Sequence, residues 1–150
     1  MTKKKYEHLF LTEPFGTRSK SRFATAATPP DKPYWLGIGQ GEPCPWDFPL
    51  SMVLRPIWQP HIMCEDGPHK HSEGEVLYFI GGDPMNFDEF GAEVEVSIGE
   101  GDDVETYTIT KTTFLYLPPY LPHCPIVFKR VDKPIMFGHI MFVSEYDRAD

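Results

Sequence analysis

The sequence predicts an all-β domain, a sandwich or a barrel, on three observations. Sixteen prolines and twelve glycines in 150 residues leave little room for long helices. From Ser51 onward, short runs rich in β-branched and aromatic residues recur between turn residues. Within them, Ala92–Ile98 alternates Val94, Val96 and Ile98 with Glu93, Glu95 and Ser97, the period-two pattern of a strand with one buried and one wet face. Strands this short and regularly spaced are those of sandwiches and barrels.

In chain order, residues 1–50 read as an arm with edge strands packed on a body. Seven prolines fall between Pro14 and Pro49, and each removes a backbone donor and turns its predecessor away from helix. The stretch Tyr34-Trp35-Leu36-Gly37-Ile38-Gly39 is apolar enough to pack, and residues 5–11 can form one or two helical turns. Residues 51–150 form the body, with strands expected over 52–57, 76–80, 92–98, 104–110, 114–117, 123–129 and 135–143. A length of 150 residues suits one structural domain.

Charge and composition exclude several functions. Fourteen basic and twenty-two acidic residues give a net charge of −8, which argues against binding nucleic acid by phosphate neutralisation. Residues 1–33 carry seven basic and three acidic side chains, whereas the remainder carries seven and nineteen. The basic arm therefore either lies across its own domain or a sister subunit, or is a solvated tail. The longest uncharged stretch, residues 112–128, holds four prolines and cannot span a membrane as a helix. The N-terminus lacks the apolar run of a signal peptide, and Cys44, Cys64 and Cys124 show no zinc-ribbon spacing. Reduced thiols in a cytoplasmic protein are expected.

The chemistry concentrates in Gly67-Pro-His69-Lys-His71-Ser-Glu-Gly-Glu75. Residues two apart on a strand point the same way, so His69 and His71 present both imidazoles to one side. Glu75 has the same parity and opens the next strand. Two imidazoles and a carboxylate converging from a sheet suit a transition metal, and His123, in Pro118-Pro-Tyr120-Leu-Pro-His123, is a candidate fourth ligand.

A His-x-His pair alone is weak evidence, but the whole spacing resembles the cupin superfamily. His69-x-His71-x3-Glu75-x6-Gly82 matches its first motif and Pro118-x-Tyr120-x2-His123 its second, together with the intervening strands covering about residues 51–143. Three positions depart from the family pattern: Met63 and Tyr120 stand where glycine is usual, and Val127 where asparagine is common. At Tyr120 either the turn differs or a tyrosine takes a strained geometry. The resemblance implies a single-domain double-stranded β-helix, or jelly roll, with an irregular N-terminal arm. It further implies a homodimer and one divalent transition metal (Fe, Mn, Ni or Zn) per chain, held by His69, His71, Glu75 and His123 at the barrel's mouth.

Among the neighbours, Tyr120 and His139 are candidate catalytic groups and Arg55 a candidate clamp for a substrate carboxylate. Each has a bland reading: His139 as a buried histidine satisfied by backbone, Arg55 as a surface ion pair. Alternation turns Cys124 away from His123, as a structural thiol on the outer wall; Cys64 has no assigned role and Glu73 is solvated. Trp58, Phe79, Phe114, Met63, Met85, Met136 and Met141 are expected to fill the core, and His8 and His61 to be ordinary histidines.

The function expected is a small-molecule enzyme whose metal serves as Lewis acid or oxygen-activating centre, of the dioxygenase, decarboxylase, isomerase or lyase type found among cupins. The alternative is a non-catalytic, metal-assisted sensor or carrier. In both readings the partner is a small molecule rather than nucleic acid or a membrane.

Overall fold

The computed structural model describes residues 4–12, 15–16, 35–40, 43–144 and 146–149. Period-two burial recurs along the chain and yields ten strands among the described residues: β1 (Phe15–Gly16), β2 (Trp35–Ile38), β3 (Ser51–Ile57), β4 (His61–Met63), β5 (Glu75–Gly81), β6 (Ala92–Ile98), β7 (Glu105–Ile109), β8 (Thr113–Leu117), β9 (His123–Val131) and β10 (Ile135–Met141). They pair antiparallel in two sheets, ordered β1-β2-β3-β10-β5-β8 and β4-β9-β6-β7. This is the double-stranded β-helix expected. The only helical elements described are short 3₁₀ turns at Glu7–Leu9 and Gly101–Asp103. None of the described helices is long and apolar enough to cross a membrane.

The seven strands expected from residue 51 onward are all present, with ends shifted by one or two residues. β4 was not expected, because three residues between Pro60 and Cys64 carry no readable period. Much of the arm expected over residues 1–50 lies outside the described residues. Within them, β1 and β2 extend the larger sheet beyond β3.

The core sits between the sheets. β3, β5 and β10 turn their odd-numbered residues inward, and the register stacks these into rungs. Ile135 lies opposite Ile57 and Gly81, Phe137 opposite Arg55 and Phe79, His139 opposite Val53 and Leu77, and Met141 opposite Ser51 and Glu75. From β6 and β9, Val94, Val96, Ile126 and Phe128 close the interior. One end is therefore hydrocarbon, while the other carries polar and ionisable groups.

Three residues expected in the core are exposed, and a fourth, Met136, takes an outward, half-buried position on β10. Trp58 is 42% exposed, Phe114 66% and Met85 91%. Trp58 follows the end of β3, Phe114 points outward from edge strand β8, and Met85 lies in the turn after Gly82. Aromatic or sulfur character records apolarity without recording which face a residue occupies.

Gly138 is required where β10 passes β3. A Cβ there would meet the carbonyl oxygen of Val53 at 1.8 Å and the Tyr78 ring at 2.6 Å. The Tyr78 hydroxyl instead crosses over Gly138, donating to the Val53 carbonyl and approaching that of His139 at 3.1 Å. This ties the backbone of His139 to its neighbouring strands.

Candidate metal centre

The segment between β4 and β5 is held to β9 by a reciprocal pair of backbone hydrogen bonds, His69 N–H to His123 O and His123 N–H to His69 O, both 3.0 Å. On its far side the Ala149 N–H donates to Lys70 O at 2.9 Å. Alternation places His69 and His71 on one side of this segment, as their spacing predicted, and both line the same cluster. Their ring centroids are 4.9 Å apart and lie 4.4 Å (His69) and 5.3 Å (His71) from that of His123, and one nitrogen from each of the three lies within 4.8 Å of the others. Glu75, at the start of β5, places Oε2 at 3.4 Å from His71 Nε2 and 3.3 Å from His123 Nε2. The structure thus gathers the four residues that the motifs single out.

The hydrogen bonds behind these atoms determine their protonation. A carbonyl only accepts, so His71 Nδ1–H donates to Asp147 O at 2.6 Å, and His123 Nδ1–H donates to Leu121 O at 3.0 Å. In the neutral rings both Nε2 atoms then carry lone pairs directed at Glu75 Oε2, itself buried and without a hydrogen-bond donor. Burial lowers the pKa of His71 against the opposing pull of Glu75, so the neutral ring is favoured. Three buried electron-pair donors facing one another are mutually repulsive unless a cation lies between them, and nitrogen and oxygen donors of this kind suit a divalent transition metal. The residues fit the metal their motif implies.

The other oxygen of Glu75 is engaged from behind. His139 Nδ1 lies 3.3 Å from Glu75 Oε1, and its Nε2 lies 3.0 Å from Gln40 Nε2. Gln40 also donates to Ser51 Oγ at 2.8 Å, and Ser51 in turn donates to Gly39 O at 3.2 Å. With the amide as sole donor to His139 Nε2, the ring's one proton sits on Nδ1 and points at Glu75. His139 is thus satisfied by side chains rather than by backbone. Burial lowers its pKa to about 4 despite the neighbouring carboxylate. At Glu75 burial acts to raise the pKa, but the imidazoles of His123, His139 and His71 outweigh it and hold the carboxyl below its usual range.

A cavity of about 50 Å³ opens beside these groups. Its wall includes Arg55, which is only 4% exposed, so the surface ion-pair reading of that residue is overturned. The guanidinium lies over the Phe137 ring at 5.5 Å and donates to Met63 Sδ at 3.3 Å, and burial lowers its pKa to about 10. Met63, where glycine is usual, is thereby part of the wall. Tyr120 is 60% exposed and off the cavity wall. Its φ of +63° is the left-handed geometry a glycine would supply, and its N–H donates to His71 O at 2.7 Å. Of the two readings of that turn, the strained tyrosine is the one observed.

Cys124 corrects the sequence reading. β9 carries one more residue than β6 between the pairs Val96–Ile126 and Ile98–His123, so a bulge shifts the alternation by one. With φ at +88°, Cys124 is buried and faces the cavity alongside His123. Cys64 lines the same wall. The Cys124 thiol hydrogen-bonds to Cys64 and, against the effect of burial, lowers the Cys64 pKa to about 4 with help from His69 and Arg148, while Cys124 is pushed up.

Besides Gln40, two residues escaped the sequence reading altogether. Tyr146 stacks on His139 at 4.8 Å and places its hydroxyl 3.4 Å from Nε2 of both His69 and His71. Arg148 Nη2 donates to Cys64 Sγ at 3.5 Å. Both lie in the segment after β10, which backbone hydrogen bonds from Tyr146 to Gly39 and from Ala149 to Lys70 pin against the barrel. No motif or period marks them; an aromatic residue in a polar terminal segment is the only signal present.

The two antiparallel sheets form a jelly roll of the cupin fold class, with the imidazole–carboxylate cluster inside one end. Among solved structures, a tryptophan-to-tyrosine variant of oxalate decarboxylase from Bacillus subtilis matches with a TM-score of 0.50 and 16% identity, over 75% of this chain and 26% of that one. An oxalate oxidase in complex with glycolate matches with a TM-score of 0.53 and 12% identity, over 95% of this chain and 63% of that one. The chain thus spans about a quarter of the decarboxylase and under two thirds of the oxidase. No family model and no curated protein matches its sequence. The likeness is one of fold.

Proposed function

We propose that this chain is a metal-dependent cupin enzyme acting on a small carboxylate, with His69, His71, Glu75 and His123 as ligands to one divalent transition metal (Fe, Mn, Ni or Zn) per chain. The observation that carries the reading is Glu75 Oε2, buried without a hydrogen-bond donor and lying 3.4 Å and 3.3 Å from the Nε2 atoms of His71 and His123. When bound, such a metal supplies Lewis acidity toward a carboxylate or carbonyl and, if iron or manganese, redox chemistry with dioxygen.

The chain's own residues supply the rest. Arg55 offers a guanidinium to a carboxylate in a buried wall, where charge attraction is least screened. His139, held by Gln40, keeps Glu75 Oε1 engaged and so aims Oε2 at the imidazoles. Leu77, Ile126 and Phe137 keep the cavity poor in water. A water needs roughly 10–15 Å³ measured in the same way, so about 50 Å³ suits a molecule of few heavy atoms. The fold neighbours act on oxalate by name, which makes small mono- and dicarboxylates the first compounds to test.

Elemental analysis of untagged protein is expected to find about one such metal per chain, lost in His71→Ala and His123→Ala. Metal retained by both variants would remove the ligand assignment. Oxygen uptake and carbon dioxide release with small acids then test turnover, and bound metal without turnover of any acid would leave a binding protein.

The proposal includes a cytoplasmic homodimer, supported by the free state of all three cysteines and by the opposite charges of arm and body. Deleting residues 1–33 should halve the sedimenting mass; an unchanged subunit number would exclude the arm as the dimer's tie.

A further inference from the structure

Cys64, His69 and Cys124 bring two sulfurs and one imidazole nitrogen within 4.8 Å of one another on the wall of the cavity. We propose that these three residues form a second coordination set, rich in thiolate, that captures a soft ion such as Zn(II) or Cu(I). It shares His69 with the imidazole–carboxylate set but differs from it in donor chemistry, and does not depend on that set being a metal site.

The three donors come from separate segments: the loop after β4, the stretch before β5, and the start of β9. Local chain geometry therefore does not explain their meeting. Both cysteines hold left-handed backbone, with φ at +58° for Cys64 and +88° for Cys124, a conformation that is strained for a non-glycine residue. The fold carries that strain twice, with both thiols on the cavity wall. Arg148 donates to Cys64 Sγ at 3.5 Å, which favours the thiolate needed to bind a metal. His69 Nδ1 is buried without a hydrogen-bond partner. Thiolates with one imidazole select Zn(II) or Cu(I) over harder ions. Bonds of about 2.3 Å to sulfur and 2.0 Å to nitrogen require donors within roughly 4 Å of each other, a small closing of the observed cluster.

The test uses full-length, reduced, chelator-stripped protein titrated with Co(II) or Cd(II). Thiolate-to-metal charge-transfer absorption in the near ultraviolet is expected to rise to saturation. It should be lost in Cys64→Ser and Cys124→Ser and retained in Glu75→Gln, which weakens only the other set. Zn(II) should protect Cys64 and Cys124 from iodoacetamide, while Cys44, which is not on the cavity wall, reacts equally with and without zinc by peptide mass spectrometry. Absence of the band with both ions, its survival in both serine variants, or unchanged alkylation of Cys64 would each overturn the proposal. Should Cys124→Ser fail to fold, Cys64→Ser and the protection of the wild-type thiols decide it. Loss of metal from His71→Ala alone would bear on the imidazole–carboxylate set and leave this one standing.

Discussion

At one end of the barrel Ile57, Phe79 and Ile135 are fully buried, and Phe79 packs on Phe137 at 5.1 Å and Phe128 at 6.5 Å. At the other, also buried, lie Glu75, His123 and His139 on β5, β9 and β10, with His71 from the segment before β5. The first end contributes stability through hydrocarbon removed from water, at about 25 cal/mol per Å². The second desolvates ionisable groups and recovers that cost only through partners. One template of alternating strands thus serves opposite purposes, according to which side chains occupy its inward positions.

The largest effect expected from breaking this contrast is at the apolar end. Phe79→Ala should cost about 3–5 kcal/mol in denaturant unfolding, with metal content per folded chain retained. Glu75→Gln should do the reverse, weakening metal binding by the imidazole–carboxylate set while shifting metal-free stability by about 1 kcal/mol or less, since Oε2 has no donor to lose. Equal destabilisation by both substitutions would refute the division.

Acid should separate the two ends next. His139 titrates near 4 when folded and near its ordinary 6.5 when unfolded, so between these values the unfolded chain binds more protons. Its contribution is fully present above pH 6.5 and is lost as pH falls toward 4, on the order of 3 kcal/mol for the metal-free protein. Burial lowers the pKa of His71 as well, in the same direction, and Glu75 extends the loss further into acid. The deficit of Phe79→Ala should be the same at pH 5 and pH 8. Unfolding curves of metal-free wild type that coincide at those two values would contradict the burial of neutral imidazoles.

The smallest effect is expected at Tyr120, which is exposed and serves the turn through its backbone. Tyr120→Phe should leave metal content unchanged and stability within about 0.5 kcal/mol. A large loss of activity in that variant would return its phenol to the site.

Strand positions were legible because each strand after β4 has a period-two pattern or an apolar run bounded by glycine, proline or aspartate. Three of the candidate ligands were legible because their spacing is short-range, His69 and His71 being two apart and Glu75 opening the next strand, whereas His123 was legible only through the second motif. Cys124 was misread because a bulge changes parity through pairing with β6, which no local pattern records. Trp58, Phe114 and Met85 were misread because apolarity does not specify a face.

The sequence by itself determined the all-β class, the inward alternation and four metal-ligand candidates, since these depend on neighbours two to six residues apart or on motif spacing. Only the tertiary structure decided that Arg55 is buried, that Gln40 and His139 hold Glu75 from behind, and that Cys64 meets Cys124. It also brought Tyr146 and Arg148, at the far end of the chain, against the cavity. Those outcomes rest on contacts between residues 60 to 100 positions apart, where chain closure and packing govern, and no short-range period encodes them.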